Sequence, residues 1–317
     1  MKTTLRLVAA LLGVAILMVL GFALFVQARG VPHYAVPRVA VARPLGLPAQ
    51  VAQGEALVRA SCAECHLNPQ TQRLSGHRLL DIPPEFGAVY AANITQDAAR
   101  GIGRWTDSEV VALVRTGIGR DGRYRLVMPH YVYMSDDDMA AVLAFLHSAH
   151  PWVQPDPTPT PTQQPSFLLK ALANTVMKPT ELVASTHTAP RAGADSVAYG
   201  RYLVTGRYLC YECHSKDFKT NNALHPEQSA GYLGGGNVLQ DQRGRPIRSA
   251  NLTGDAATGL GGWTPAQLGA ALRQGQGPHG PVRYPMPKYP AMTDAEVRAI
   301  YAYLQSVPKL KSTVAAR

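Results

Sequence analysis

All four cysteines of the chain lie in two short motifs, "CAECH" (Cys62, Cys65, His66) and "CYECH" (Cys210, Cys213, His214). Two thiols three positions apart can each form a thioether to one vinyl group of the same haem. The adjacent histidine then lies under the iron as its proximal ligand. Competing chemistries are a thioredoxin-like dithiol, a four-cysteine zinc site, and plain disulfides in an oxidising compartment. A zinc site leaves both histidines unexplained, and a dithiol has no need of histidine at the next position twice over. The pattern therefore predicts two covalently bound haem c groups.

Each motif is followed, farther along the chain, by a pair of methionines six residues apart: "MPHYVYMSD" from Met128 and "MPKYPAMTD" from Met286. These belong to a longer repeat. Residues 92 to 148 align with 250 to 306 at a constant offset of 158, with "ANITQDAARGIGRWT" matching "ANLTGDAATGLGGWT". The cysteines sit at an offset of 148, so the second copy carries ten extra residues before Asn251, expected within the glycine-rich "GYLGGGNVLQDQRG". Two homologous haem domains follow, residues 45–150 and 193–311.

The helices that must position these groups are legible. Leu57 and Val58 lie on a turn leading into Cys62, and the second copy has "GRYLVTGRYLCYECH", with Gly200 ten residues ahead of Cys210. A middle helix starts at Thr106, with Glu109 three residues on as a capping box; its counterpart has Thr264, Pro265 and Gln267. The last helix starts at Ser135 or Thr293. Its apolar positions are Met139, Val142, Leu143 and Leu146 in one copy, and Val297, Ile300, Tyr301 and Leu304 in the other. That spacing predicts one face buried against the first helix and the haem.

The caps separate the methionines. With Ser135 and Thr293 as N-caps, Met134 and Met292 precede the caps and face Met139 and Val297 as hydrophobic staples. Packing accounts for them without iron. Met128 and Met286 lie in loops seven residues before the caps, and the following proline favours extended backbone there. The expected axial ligands are therefore His66 with Met128 and His214 with Met286, with His130 and Met134 as rivals in the first domain.

At the N-terminus, Leu7 to Val26 runs uncharged for 20 residues, about 30 Å as a helix and enough to span a bilayer core. Lys2 and Arg6 precede it, so the rest of the chain is expected on the far side of the membrane. The competing reading of residues 1–30 is a cleaved signal sequence, with Val26-Gln27-Ala28 as the cleavage site. Residues 151–192 begin "PWVQPDPTPTPTQQP", which reads as an extended, semi-rigid linker, followed by "SFLLKALANTVM", a short helix lying across one domain or on the membrane face. The net charge of +10 suggests an acidic partner or an anionic surface. The 31 Lys and Arg are scattered, with no basic helix or aromatic-laced patch, so nucleic acid is not expected.

A CxxCH beside a first helix, a loop methionine and a closing amphipathic helix resemble the class I cytochrome c fold, twice over. The pattern "NIT…GxGxWT…MPxYxxMSD" is similar to the cytochrome c subunits of membrane-bound periplasmic alcohol, gluconate and aldehyde dehydrogenases, over residues 45 to 308. The resemblance implies an all-α fold of two tandem class I-like domains; the single N-terminal anchor departs from that family, and it is read as a transmembrane helix that holds the chain at the inner membrane as a single pass with the haems facing the periplasm. It implies an electron carrier, not an enzyme, serving a dehydrogenase subunit, a respiratory complex or a terminal oxidase. Those subunits carry three haem motifs and this chain two, so the partner stays open. The main alternative is a dihaem peroxidase, whose catalytic haem must open a coordination site; a gas-binding or redox-sensing module is a further one.

Other residues carry paired readings. Trp105 and Trp263 either bond a haem propionate or pack in the core. Asn93 and Asn251 either orient a haem loop or make a turn. The "SDDDM" run, residues 135–139, reads as solvated acidic charge at a helix N-terminus.

Overall fold

A computed structural model describes residues 2–80, 82–183, 187–190, 193, 196–241 and 243–312. Met1, Asp81, residues 184–186, 191 and 192 of the segment between the repeats, residues 194 and 195, Gln242 of the glycine-rich stretch and residues 313–317 lie outside the described residues. The chain is helix-rich, 41% helical. Helix α1, Lys2–Arg29, is the apolar N-terminal segment, long enough to cross a membrane. The first repeat contains α2 (Pro48–Ser61), α3 (Ala63–His66), α4 (Asp107–Thr116) and α5 (Asp136–Leu146). After α6 (Phe167–Thr175), the second repeat contains α7 (Ser196–Tyr202), α8 (Cys210–His214), α9 (Pro265–Gln274) and α10 (Asp294–Ser306). Among the described residues, three antiparallel ladders of two or three residues per strand tie loops together: Gly87–Ala88 with Gln164–Pro165, Val238–Gln240 with Pro246–Arg248, and Gln276–Gly277 with Gly280–Pro281.

In each repeat the first helix crosses the last, α2 on α5 and α7 on α10. A glycine makes each crossing close. A Cβ on Gly54 would stand 1.9 Å from the carbonyl oxygen of Ala141, and one on Gly200 would stand 2.0 Å from that of Ala299. Capping boxes form at Thr106/Glu109, Thr264/Gln267 and Thr293/Glu296, while Ser135 caps α5 by accepting from Asp138 N–H. Helix α5 is buried nearly all round, from Asp138 to Leu146, more than the single face its periodicity suggests. Side chains of the second repeat cover its N-terminal end, as described below.

The proline-rich stretch after α5 is extended, but it is strapped along the first repeat. Leu74 and Gln96 N–H groups donate to the carbonyls of Trp152 and Val153, Asn93 Nδ2 donates to those of Asp156 and Thr158, and Val153 is fully buried. The second repeat has the same device in its tail, where Asn251 Nδ2 donates to Leu310 O at 2.7 Å. At Asp156, burial alone would raise the carboxyl pKa. Bonds from the Thr158 hydroxyl (2.6 Å) and N–H (2.9 Å), both to Oδ1, outweigh it and hold the pKa down at about 2. A depressed carboxyl stabilises above its ordinary value of 3.8 and loses that contribution as pH falls toward 2. Asp156→Asn should therefore lower stability at neutral pH and flatten the acid limb of urea midpoint against pH. An unchanged limb would refute this account of the strap.

Helix α6 docks on the end of α1. Leu169 and Ala173 are buried, Lys170 Nζ donates to Gln27 Oε1 at 3.2 Å, and Asn174 Nδ2 donates to Gly30 O at 2.9 Å. The segment beyond α1 then runs onto the first repeat: Tyr34 N–H donates to Gly122 O (2.7 Å), and Val39 exchanges bonds with Ser108 of α4.

The extra residues of the second repeat are not where the glycines suggested. Gly76 N–H donates to His66 O ten residues before it, and Gly235 N–H makes the same bond to His214 O twenty-one residues before it. The insertion therefore lies before Gly235, in the loop 215–234, where eleven residues are added, while the stretch from Gly235 to Asn251 is one residue shorter than that from Gly76 to Asn93.

Candidate functional site

Each CxxCH motif forms a short helix, α3 or α8, at the end of the first helix of its repeat. In the first, Cys62 ends α2 and begins α3, and its carbonyl accepts from the N–H groups of Cys65 and His66. His66 Nδ1 donates to Ala92 O at 2.7 Å, and His214 Nδ1 donates to Ala250 O at 2.8 Å. Ala92 and Ala250 are equivalent positions of the repeat. That bond fixes the tautomer, leaving Nε2 with its lone pair as the nitrogen available to a metal. Burial lowers the pKa of both imidazoles, which favours the neutral form a ligand needs. Burial also pushes the Cys62 and Cys210 thiols up to about 12, the opposite of the acidic thiol of a redox-active dithiol. Paired thiols with an oriented imidazole, twice, fit covalent haem c.

The carbonyl-bearing loop is itself held. Asn93 Oδ1 accepts from Thr95 N–H (2.9 Å) and its hydroxyl (2.7 Å), and Asn251 repeats both bonds with Thr253, each at 2.9 Å. The asparagines make the turn and, through Nδ2, tie the loop that bonds His66 to the strap and the loop that bonds His214 to the C-terminal tail. Trp105 is half-buried in the wall of a cavity of about 250 Å³ with Val110, Leu143 and Leu146 and the polar Gln96 and His147. Trp263 is half-buried against the core, and its carbonyl accepts from Tyr301 at 2.8 Å.

The methionines separate as their distance from the caps suggests. Met134 and Met292 are 2% and 5% exposed, in the core with Met139 and Val297. Met128 and Met286 are half-buried, each on a turn whose N–H donates to the carbonyl three residues back, Arg125 or Arg283. His130 Nδ1 bonds Thr180 Oγ1 at 2.6 Å, while its Nε2 packs against Gly117, buried and without a hydrogen-bond partner.

Two buried tyrosines went unremarked in the sequence, although "MPHY" and "MPKY" place them at equivalent positions. Tyr131 donates to Ser61 O at 3.2 Å and lies near Cys62 and Cys65 and also near Glu212 of the second motif. Tyr289 lies near Cys210 and Cys213 and also near Tyr131. Asp138 of the "SDDDM" run is not solvated: it is 1% exposed and ion-paired to Arg207 of the second repeat. An acidic residue at a helix N-terminus is ordinarily exposed, and its partner 69 residues away leaves no local trace.

Residues 49–146 match the family of cbb3-type cytochrome c oxidase subunit III, and residues 197–308 match the cytochrome c family. Over 79% of its length the chain is 30% identical to the fructose dehydrogenase cytochrome subunit of Gluconobacter japonicus, covering 51% of that protein. It is 30% identical over 82% of its length to the gluconate 2-dehydrogenase cytochrome c subunit of Pantoea cypripedii, covering 60% of it. It is 29% identical over 84% of its length to a diheme cytochrome c-type protein of Cereibacter sphaeroides, covering 88% of it. The chain thus spans about half the length of the dehydrogenase subunits it matches. The chain carries two cytochrome c-type electron-transfer domains in tandem, with two covalently bound haem c, and is homologous to cytochrome c subunits of dehydrogenases and to a dihaem cytochrome c.

Proposed function

We propose that this chain is a membrane-anchored dihaem carrier, held by α1 at the inner membrane with both haems on the periplasmic side. It takes electrons from a periplasmic dehydrogenase or quinol-linked complex and passes them to a respiratory acceptor such as a terminal oxidase. The relatives favour a dehydrogenase subunit as the donor, and they lend no support to the dihaem peroxidase reading. The fold proposed is all-α, two class I-like domains, with the ladders as loop clasps. The first domain starts near residue 45 and takes in the strap beyond 150; the second runs from 193 to 311.

The observation that carries this reading is the matched construction of the two sites. His66 and His214 are held by equivalent carbonyls, and Met128 and Met286 occupy equivalent turns. Cys62, Cys65, Cys210 and Cys213 would attach the two haems, and His66 with Met128, and His214 with Met286, would hold their irons. Such ligation favours the ferrous state, raises the potential relative to bis-histidine ligation, and leaves no vacant position for substrate. The protein's work is then to hold Nε2 and the thioether sulfur in place, exclude water, and leave the one-electron chemistry to the haem. The test is a visible and near-infrared spectrum of the oxidised holoprotein. Two low-spin haems with the methionine-to-iron charge-transfer band are expected; a high-spin component or peroxide turnover would refute the carrier.

A further inference from the structure

The two repeats are not joined symmetrically. Gly54 lies eight residues before Cys62, and Gly200 ten before Cys210, although both glycines sit at the same helix crossing. The two additional residues are taken up as a π-helical turn, Leu203–Arg207, directly after α7. Such turns are rare and concentrate at functional positions. This one places Arg207 between Asp138 of the first repeat and Glu296 of the second, which are the same N3 position in α5 and α10.

Arg207 Nε donates to Asp138 Oδ2 at 2.6 Å, Nη2 to Asp138 Oδ1 at 2.9 Å, and Nη1 to Glu296. Asp138 also accepts from Gln53 Nε2 at 2.7 Å and from the Tyr202 hydroxyl, which in turn accepts from Ser135 N–H at 3.0 Å. Glu296 still closes a capping box on Thr293, whereas Asp138 is given over to the second repeat. The clamp stands at the edge of a cavity of about 310 Å³ between the repeats, with Leu57, Tyr289 and Met292 on its walls. Tyr289 of that wall lies near the thiols of its own motif and near Tyr131, which lies near Cys62 and Cys65 and also near Glu212 of the other motif.

We propose that Arg207 is a positioning residue for electron exchange between the two haems: it locks the repeats in one orientation, with Tyr131 and Tyr289 filling the space between their haem motifs. A buried ion pair contributes little net stability but is satisfied in only one geometry, which suits a spacer better than a strut. The exchange moves one electron, oxidising one haem as it reduces the other, with no proton or co-reactant. The proposal rests on both repeats carrying electron-transfer haems.

The test uses the full-length holoprotein, with Arg207→Met and with a neutralised triple variant, Asp138→Asn, Arg207→Met and Glu296→Gln. The triple variant strands no buried charge and keeps the test open if the single variant fails to fold. The haems are partly reduced by a pulse, and the rate of redistribution between them is followed alongside Soret circular dichroism. Redistribution is expected to slow by about tenfold or more, with altered coupling in the dichroism and both charge-transfer bands intact. A folded triple variant with both bands and a wild-type rate would overturn the clamp. Absence of the bands already in the wild-type protein would instead count against the carrier reading.

Discussion

Met128→Ala and Met286→Ala should each remove the charge-transfer band of one haem and lower that haem's potential, on the order of 100 mV by the range that axial ligation commands. Met134→Leu and Met292→Leu should leave both bands in place and cost less than about 1.5 kcal/mol, as volume-conserving core exchanges do. The contrast is sharp because the two methionines of each segment are six residues apart in near-identical surroundings. One pair lies on a turn and is half-buried; the other is closed into the core behind the N-caps at Ser135 and Thr293. In the first repeat the competing imidazole, His130, bonds Thr180 through Nδ1 and has a buried, unpartnered Nε2 against Gly117, so His130→Ala is the matching control and should leave both bands in place. Potentiometric titration of these variants with near-infrared detection decides the matter. Loss of a band on replacing Met134 or Met292, with the 128 and 286 variants normal, would reverse the assignment.

Much of this construction was legible in the chain because its determinants are local. Capping at Thr106, Ser135, Thr264 and Thr293 depends on residues three apart, and all four caps form where the pattern puts them. The thioether motifs are equally local. What escaped was set by partners distant in sequence. The prolines after α5 predict extension, but only the fold shows that the extended chain is hydrogen-bonded along the first repeat, because loop amides at Leu74 and Gln96 need acceptors. Asp138 reads as a surface charge until Arg207 is brought to it. Alignment by motif assigned the insertion to the most permissive stretch, the glycines, whereas the matching bonds of Gly76 and Gly235 show it in the loop before them. The short helix left undecided between domain and membrane, α6, lies against the end of α1, with Phe167 and Leu168 exposed beside it.

The closest packing in either repeat gives the other large effect. Alanine favours a helix interior over glycine by about 1 kcal/mol, so on propensity alone Gly54→Ala and Gly200→Ala would stabilise. The structure reverses that sign. The new Cβ at position 54 would lie 1.9 Å from Ala141 O and 2.8 Å from Phe145 Cβ; at position 200 it would lie 2.0 Å from Ala299 O and 2.8 Å from Tyr303 Cβ. The obstruction is backbone within a buried helix, which cannot swing aside as a side-chain end can, so the whole crossing must open. Overpacking of this kind costs about 3 kcal/mol or more, which exceeds the propensity gain. It should lower the midpoint of thermal unfolding by about 4 to 8 °C, taking the net loss as roughly 2 kcal/mol. The harm should reach the haem, because α2 runs straight into Cys62 and the π-helical turn after α7 runs toward Cys210. Thermal melts monitored both by far-ultraviolet dichroism and at the Soret band would test this. Gly262, where a Cβ meets nothing, is the control, and Gly262→Ala should leave the melt unchanged. Equal midpoints for the variants at positions 54, 200 and 262 would mean that the helices have room to separate, and that the close crossing does not hold the first helix of each repeat in place over its haem motif.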